Sequence, residues 1–334
     1  MWGAGRGRNE RTEVRKTTSN IRKFNCILYH LECRNGILMS SIVGNELTYK
    51  NYNATLILVP VIFFSLSFCV PESPFFLFDQ SRKEDAFKSL LWLRGNNQKS
   101  VQEAIQSMEL AHANRVPETS FKSIFTSPGL RRATLIGLFL FSCQIFSGYS
   151  IIFSYDEIIF QKIGSPMSVG YSSIVVSSVT LVSSFFGVIT VDICGRKPLL
   201  YAGFSVGFIS MSILSIYLFM TNEEWDEGSW VPFACMIVFV FGYGLGTNLI
   251  PQLTTTEIVP SHMRPKILGM LMIVYCILVA IVLQSFPLLD ESVGLYGVFL
   301  LSSIVNLVGI VGTWYVVPET KSKSHVAMAN DLNR

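Results

Sequence analysis

The side chains that could bind a solute are amides and hydroxyls placed inside long apolar runs. They are Gln144, Ser147, Ser150, Thr180, Asn248 and Gln252. Gln144, Ser147 and Ser150 fall within one run, and because positions three apart are neighbours on a helix, these three can face one side. Amide and hydroxyl groups can replace the hydration shell of a neutral polyol, and binding and releasing such a solute requires no catalytic group.

Each of these positions also has an ordinary structural explanation. Ser and Thr in helices often donate to their own backbone, which would account for Ser147 and Thr180 without any solute. An unpaired amide in lipid is costly, which favours a binding role for Gln144 and Gln252. The Gly242, Gly244 and Gly246 series before Asn248 allows either close helix packing or a bend near the site.

A second set of side chains is ionisable and lies at the ends of the apolar runs. It comprises Glu72, Asp192, Arg196, Lys197, Glu257, Arg264 and Glu319. Charges beside lipid are costly unless they are paired or hydrated. Two explanations remain open from residue types alone: simple snorkelling to the membrane interface, or a salt-bridge network that joins the ends of the helices.

The composition indicates an all-α integral membrane protein. Half of the 334 residues are hydrophobic and only 15% are charged, whereas soluble proteins of this length carry more charge. The net charge of +3 gives no reason to expect a nucleic-acid partner. The seven cysteines are scattered singly and the four histidines are dispersed, so we expect no metal, no cofactor and no enzymatic activity.

The second half of the chain contains apolar runs long enough to cross a bilayer. They cover approximately 133–155, 169–191, 198–220, 231–256, 267–289 and 294–317. The connectors between them alternate in charge: those with Arg196-Lys197 and Arg264-Lys266 are basic, and the others are acidic. Since lysine and arginine mark the cytoplasmic face, this alternation orients all of the runs and places both termini in the cytoplasm.

The remaining segments define the expected organisation. It comprises a basic cytoplasmic tail over 1–34, two spans within 35–70, a cytoplasmic linker over 71–132, six spans over 133–317 and a second cytoplasmic tail over 318–334. The linker carries two amphipathic segments, Glu84–Leu93 and Val101–Asn114, which predict short helices. A similar motif follows a span at two places, Pro71-Glu72-Ser73 and Pro318-Glu319-Thr320. This repetition suggests two related halves.

Several motifs in this order resemble those of the sugar porter family of the major facilitator superfamily, most closely its insect facilitated trehalose transporter-like group. Five positions carry the resemblance: Pro71-Glu72-Ser73-Pro74; Gln144 with Ser147 and Gly148; Asp192 with Gly195, Arg196 and Lys197; Glu257 with Arg264; and Pro318-Glu319-Thr320-Lys321. The resemblance begins near residue 35, at a position similar to the start of the family's fifth helix. It implies an N-terminally truncated bundle of about eight spans.

The resemblance also implies roles for the residues above. The charged residues at the helix ends would form a salt-bridge network that closes the cytoplasmic mouth. Gln144 would contact a sugar, and the chain would carry a hexose or trehalose across the plasma membrane by facilitated transport. We see no unpaired charge within a span, which favours a neutral solute.

Departures from the family pattern leave an alternative open. Ile145 replaces a glutamine, Ser150 replaces an asparagine, and Gln252 replaces the tryptophan that would stack on a sugar. Such changes fit either a different substrate or a chain that no longer transports, acting as a fragment or as a sensor or accessory membrane subunit.

Overall fold

We analysed a computed structural model of the chain, which describes residues 31–113, 124, 126–163, 166–221, 230–260 and 263–317. All regular structure in these residues is helical. The chain forms two compact units: residues 46–119 form one, and residues 1–45 with 120–334 form the other. This division assigns the second predicted span to the unit of the linker, because α2, Tyr49–Ser67, lies in the smaller unit.

In the smaller unit, three further helices follow α2: α3 (Pro74–Asp79), α4 (Lys83–Leu93) and α5 (Gln98–Ala113). Their apolar faces form a small core that includes Leu77, Leu90 and Val101. None of the residues of α2 is buried. An apolar helix without a buried face suits a lipid environment.

The larger unit contains the remaining helices. They are α1 (31–46), α6 (Pro128–Phe146), α7 (Tyr149–Ser154), α8 (Asp156–Ile163), α9 (Val169–Cys194), α10 (Arg196–Met220), α11 (Trp230–Gly242), a π-helical turn (Tyr243–Thr247), α12 (Ile250–Ile258) and α13 (Arg264–Val316). α1 already covers residues 31–34, which the sequence assigned to the tail.

α13 reverses direction at Gly294, where the backbone has a φ of 76°. At 53 residues it would be about 80 Å long if straight, which far exceeds a bilayer. A Cβ added to Gly137 of α6 would lie 2.8 Å from Leu271, and one added to Gly312 would meet the ring of Phe139. The segments of α13 before and after Gly294 therefore both contact α6 near residues 137–139, so they form an antiparallel hairpin.

Five helices in the described part of the chain are long and apolar enough to cross a membrane. They are Pro128–Phe146, Val169–Val191, Arg196–Met220, Trp230–Ile258 and Arg264–Val316. The last of these contains the two predicted runs 267–289 and 294–317. The predicted run 133–155 is not one helix, because α6 ends at Phe146 and α7 begins at Tyr149, with Gly148 between them at a φ of 102°.

Two hydrophobic clusters occupy the larger unit, and the helices pass from one to the other. Along α6, Cys143 belongs to one cluster and Ile145 to the other. The chain makes the same transition between Tyr243 and Ile250. Polar side chains at these transitions, Gln144 and Asn248 among them, are therefore held at the junction of two apolar layers.

Candidate functional site

Gln144 is the centre of a polar cluster at this junction. Its side chain is 6% exposed, and its Nε2 atom donates to the Tyr243 hydroxyl at 3.1 Å and to the backbone carbonyl of Asn248 at 3.2 Å. The carbonyl can only accept, which fixes the orientation of the amide. Oε1 is buried and has no hydrogen-bond partner in the described part of the chain. A buried acceptor of this kind requires a donor.

The π-helical turn places Tyr243 and Asn248 beside Gln144. The backbone N–H of Asn248 donates to the backbone carbonyl of Tyr243 at 2.9 Å, which is the i to i+5 bond of a π-helix. The turn packs closely against α9 and α10: a Cβ on Gly187 would lie 2.7 Å from the carbonyl oxygen of Leu245, and one on Gly203 would lie 3.1 Å from the backbone nitrogen of Thr247. Single π turns inside helices are frequent at functional sites.

Aromatic rings form one wall of the cluster. The rings of Tyr149 and Tyr243 stack with centroids 3.8 Å apart and an angle of 3° between their planes. Phe153 stacks on Tyr149 at 5.7 Å. The sequence analysis noted the missing tryptophan at Gln252 but did not identify these rings, which come from α7 and the π turn and provide an apolar face in the same region.

Arg34 of α1 reaches this cluster. Its Nη1 atom donates to the Tyr149 hydroxyl and its Nη2 atom to the Asn248 side-chain oxygen, each at 2.5 Å. α1 is held against α9, since the hydroxyls of Ser41 and Ser177 lie 3.0 Å apart. The expectation of a neutral solute depended on seeing no charge within a span, and the position of Arg34 removes that reason.

Three of the six predicted solute residues lie in this cluster: Gln144, Asn248 and Thr180. Gln144 and Asn248 meet directly, and the Thr180 hydroxyl interacts with that of Tyr149 while donating to the carbonyl of Val176 at 2.8 Å. Ser147 donates to the carbonyl of Gln144 at 2.8 Å, a bond within its own helix. The other two, Ser150 and Gln252, are half-buried.

Four residues of the cluster were not predicted from the sequence: Arg34, Tyr149, Tyr243 and Ser184. The Ser184 hydroxyl accepts a hydrogen bond from Asn248 Nδ2 at 3.3 Å. One signal was available for Arg34. Arg34, Ser41 and Asn45 are seven and four positions apart, which is the spacing of one helix face. That polar stripe runs along an otherwise apolar segment.

Two members of the predicted charged network form a largely buried ion pair. Arg196 Nη2 lies 2.7 Å from Glu257 Oε1, with side chains that are 5% and 20% exposed. Gly195, with a φ of 92°, turns the chain between α9 and α10 and places Arg196 at the start of α10. The pair therefore joins the start of α10 to the end of α12.

Hydrogen bonds are described for three other predicted members of the network. Lys197 donates to the carbonyl of Trp314 at 2.9 Å, Arg264 donates to that of Val259 at 3.3 Å, and a Glu72 carboxylate oxygen accepts from the Ser73 amide at 3.0 Å. The side chain of Asp192 and the whole of Glu319 lie outside the described residues.

Comparison with protein families finds a match to the family described as "Sugar (and other) transporter" over residues 16–332. The match begins earlier than the expected resemblance at residue 35. Among curated relatives, the facilitated trehalose transporter Tret1 of Bombyx mori is 29% identical over 293 residues, covering 86% of this chain and 58% of the relative. Tret1 of Anopheles gambiae is also 29% identical, with 37% of its length covered. The chain thus spans little more than half of the first of these relatives.

Solved structures show the same fold. The inward-open xylose transporter XylE from E. coli superposes with a TM-score of 0.73 at 19% identity, covering 90% of this chain and 63% of that one. The proton:xylose symporter XylE bound to 6-bromo-6-deoxy-D-glucose gives 0.63 at 20% identity, covering 93% and 66%. The predicted fold class, an all-α major facilitator-type bundle, is confirmed.

Proposed function

Because the chain belongs to the sugar (and other) transporter family, we propose that it moves a sugar across a membrane by alternating access, without a cofactor. The family is one of integral membrane transporters and not of enzymes. The proposed solute is a hexose or a disaccharide such as trehalose, and the proposed location is the plasma membrane, with both termini in the cytoplasm.

The observation that carries this proposal is the unpartnered Oε1 of Gln144. A sugar hydroxyl can donate to that oxygen, and this would offset the cost of burying it. The stacked rings of Tyr149 and Tyr243 offer an apolar face for the C–H surface of a sugar ring. Solute binding then requires only hydrogen bonds and ring contact, and the solute leaves when water replaces them.

Two breaks in helix geometry adjoin this position and would allow it to open. Gly148 separates α6 from α7, and the π turn separates α11 from α12. Transporters commonly bind their solutes at discontinuous helices near the bilayer midplane. The Arg196–Glu257 pair would hold the cytoplasmic ends of α10 and α12 together while the mouth is closed and would separate as it opens.

The test is solute uptake into proteoliposomes that contain the purified full-length chain. Radiolabelled D-glucose, D-xylose, trehalose and D-glucuronate are assayed separately. We expect saturable uptake of at least one of them, abolished or reduced at least tenfold by Gln144→Leu, because the replacement removes the hydrogen-bonding groups from a buried position.

The matched control is Gln106→Leu, which makes the same change at an exposed position of α5. This variant should keep wild-type uptake. Uptake indistinguishable from that of empty liposomes for all four sugars would overturn the transport proposal. Saturable binding without uptake would leave a non-transporting role.

A further inference from the structure

Within the candidate solute site, the Arg34 guanidinium is a positive charge whose contacts in the described part of the chain are with uncharged groups. We propose that Arg34 selects an anionic solute, a polyol that carries a carboxylate or phosphate group. This inference rests on the proposed function and specifies the class of sugar that the site would accept.

The first argument is the environment of the charge. Its described contacts are the Tyr149 hydroxyl, the Asn248 side-chain oxygen and the Tyr149 ring, whose centroid lies 5.3 Å from Cζ. Tyr243 and Tyr275 also lie close to it. None of these groups is a carboxylate. Charged side chains inside a membrane protein are normally paired, because an uncompensated charge there is costly.

The acidic residue nearest in sequence does not supply the missing charge. Glu32 is exposed and lies two positions before Arg34 on α1. Residues two apart on a helix do not face each other. Arg34 itself is half-buried, so part of its surface remains accessible.

The second argument is the position of a complementary group. Asn248 joins Arg34 to Gln144, because its side-chain oxygen accepts from Arg34 and its backbone carbonyl accepts from Gln144. The site therefore places the guanidinium of Arg34, which carries several N–H donors, beside a buried acceptor, the free Oε1 of Gln144. A guanidinium binds an oxyanion through paired N–H groups, and the amide oxygen binds a hydroxyl. A molecule with both groups, such as a sugar acid or sugar phosphate, matches this arrangement.

The test measures binding to the purified full-length chain by isothermal titration calorimetry. The probes are D-glucuronate, D-glucose 6-phosphate and D-glucose. We expect at least one anionic probe to bind at least about 30-fold more tightly than D-glucose, because a close pair of opposite charges can increase affinity by that factor. Whichever anion binds more tightly identifies the carboxylate or the phosphate as the preferred group.

Variants separate a role in recognition from a structural role. Arg34→Gln should weaken binding of the preferred anion at least about 30-fold, a clearly larger loss than for D-glucose, which presents no charge to the guanidinium. Arg34→Lys keeps the positive charge but loses the planar pair of N–H donors. The affinity of this variant for the anion should therefore lie between those of the wild type and Arg34→Gln. Arg131→Gln makes the same change at an exposed site at the start of α6 and should match the wild type.

A measurement on the wild type alone guards against poor folding of the variants. Raising the salt concentration from about 0.05 M to about 0.5 M should weaken binding of the anion and not that of D-glucose. D-glucose binding as tight as that of both anions would overturn this inference while leaving the proposed function standing. If Arg34→Gln weakened the binding of all three probes equally, Arg34 would have a structural role, and this inference would also be overturned. Binding of none of the probes, together with no uptake of any sugar, would remove the proposed function itself.

Discussion

The guanidinium of Arg196 lies 2.7 Å from the Glu257 carboxylate, which joins α10 to α12 at a position where both side chains are largely buried. The two residues are 61 positions apart in the chain. In the sequence they are two members of a larger charged set, and the structure shows that they contact each other directly. A buried pair of this kind responds strongly to the loss of one partner.

Glu257→Gln should therefore destabilise the protein. The change leaves the Arg196 charge buried without a counter-ion, and the expected loss is about 3 kcal/mol. Thermal unfolding of the purified protein in detergent measures it. Asp85→Asn, which breaks the exposed Arg82–Asp85 pair, is the control and should cost less than about 1 kcal/mol. Similar losses in the two variants would show that the Arg196–Glu257 pair contributes no more than a surface pair.

The same change should open the end of the helix bundle at which the pair lies, if the pair acts as a gate. Cys143 is buried one position before Gln144. In a background where the other cysteines are replaced by serine, we expect Cys143 to react slowly with a maleimide reagent and several-fold faster in Glu257→Gln. The Asp85→Asn variant should leave the rate unchanged. No change in the Glu257→Gln rate would argue against a gating role.

Gly148→Ala should be strongly destabilising. A φ of 102° is unfavourable for a side-chain-bearing residue, and the new Cβ would lie 2.8 Å from Ser302 Oγ. The backbone term alone is about 1–3 kcal/mol. Gly269→Ala makes the same change in α13 where nothing lies within 4 Å, and it should be neutral or slightly stabilising because alanine favours helices. The two melting temperatures provide the comparison.

Gly244→Ala tests the packing of the π turn on α9. Its Cβ would overlap the hydroxyl of Ser183 and lie 2.8 Å from the Ser183 Cβ. We expect a lower melting temperature and weaker solute binding. Ser183→Gly in the same chain removes both obstructing atoms and should restore part of each loss. A double variant no better than the single one would place the defect elsewhere.

The overall fold was predictable because it depends on features that are continuous along the chain. Apolar runs of about 20 residues predict spanning helices, and the charges between them predict orientation. The break at Gly148 was not predictable in this way, since it lies inside the longer predicted apolar run 133–155. The break depends on a backbone angle, which hydropathy does not report.

The candidate site was predictable in part for a similar reason. An amide in an apolar run identifies Gln144 and Asn248 from composition alone. Arg34 contacts Tyr149 across 115 positions, and no local pattern specifies that contact. The charges of Glu32 and Arg34 also lower the hydropathy at the start of α1. The predicted tail 1–34 therefore ended at Arg34, the residue that the structure places in the cluster.

Serine and threonine illustrate a case where two explanations were left open. Ser147 and Thr180 both donate to backbone carbonyls of their own helices, which is the ordinary structural explanation. Thr180 also faces Tyr149. Residue type could not separate these possibilities, because one hydroxyl can both donate and accept.

The π turn at Tyr243–Thr247 has a consequence for how the chain tolerates changes in length. A turn that holds one additional residue rotates everything after it by about 100° relative to an ordinary helix. Deleting one residue there would restore regular α-helical bonding and leave Asn248 and Glu257 facing Gln144 and Arg196, whereas regular α-helical bonding at the present length would rotate both residues away. A one-residue deletion after Tyr243 in this short stretch would therefore preserve the solute site and the ion pair together, because the turn absorbs the change in length.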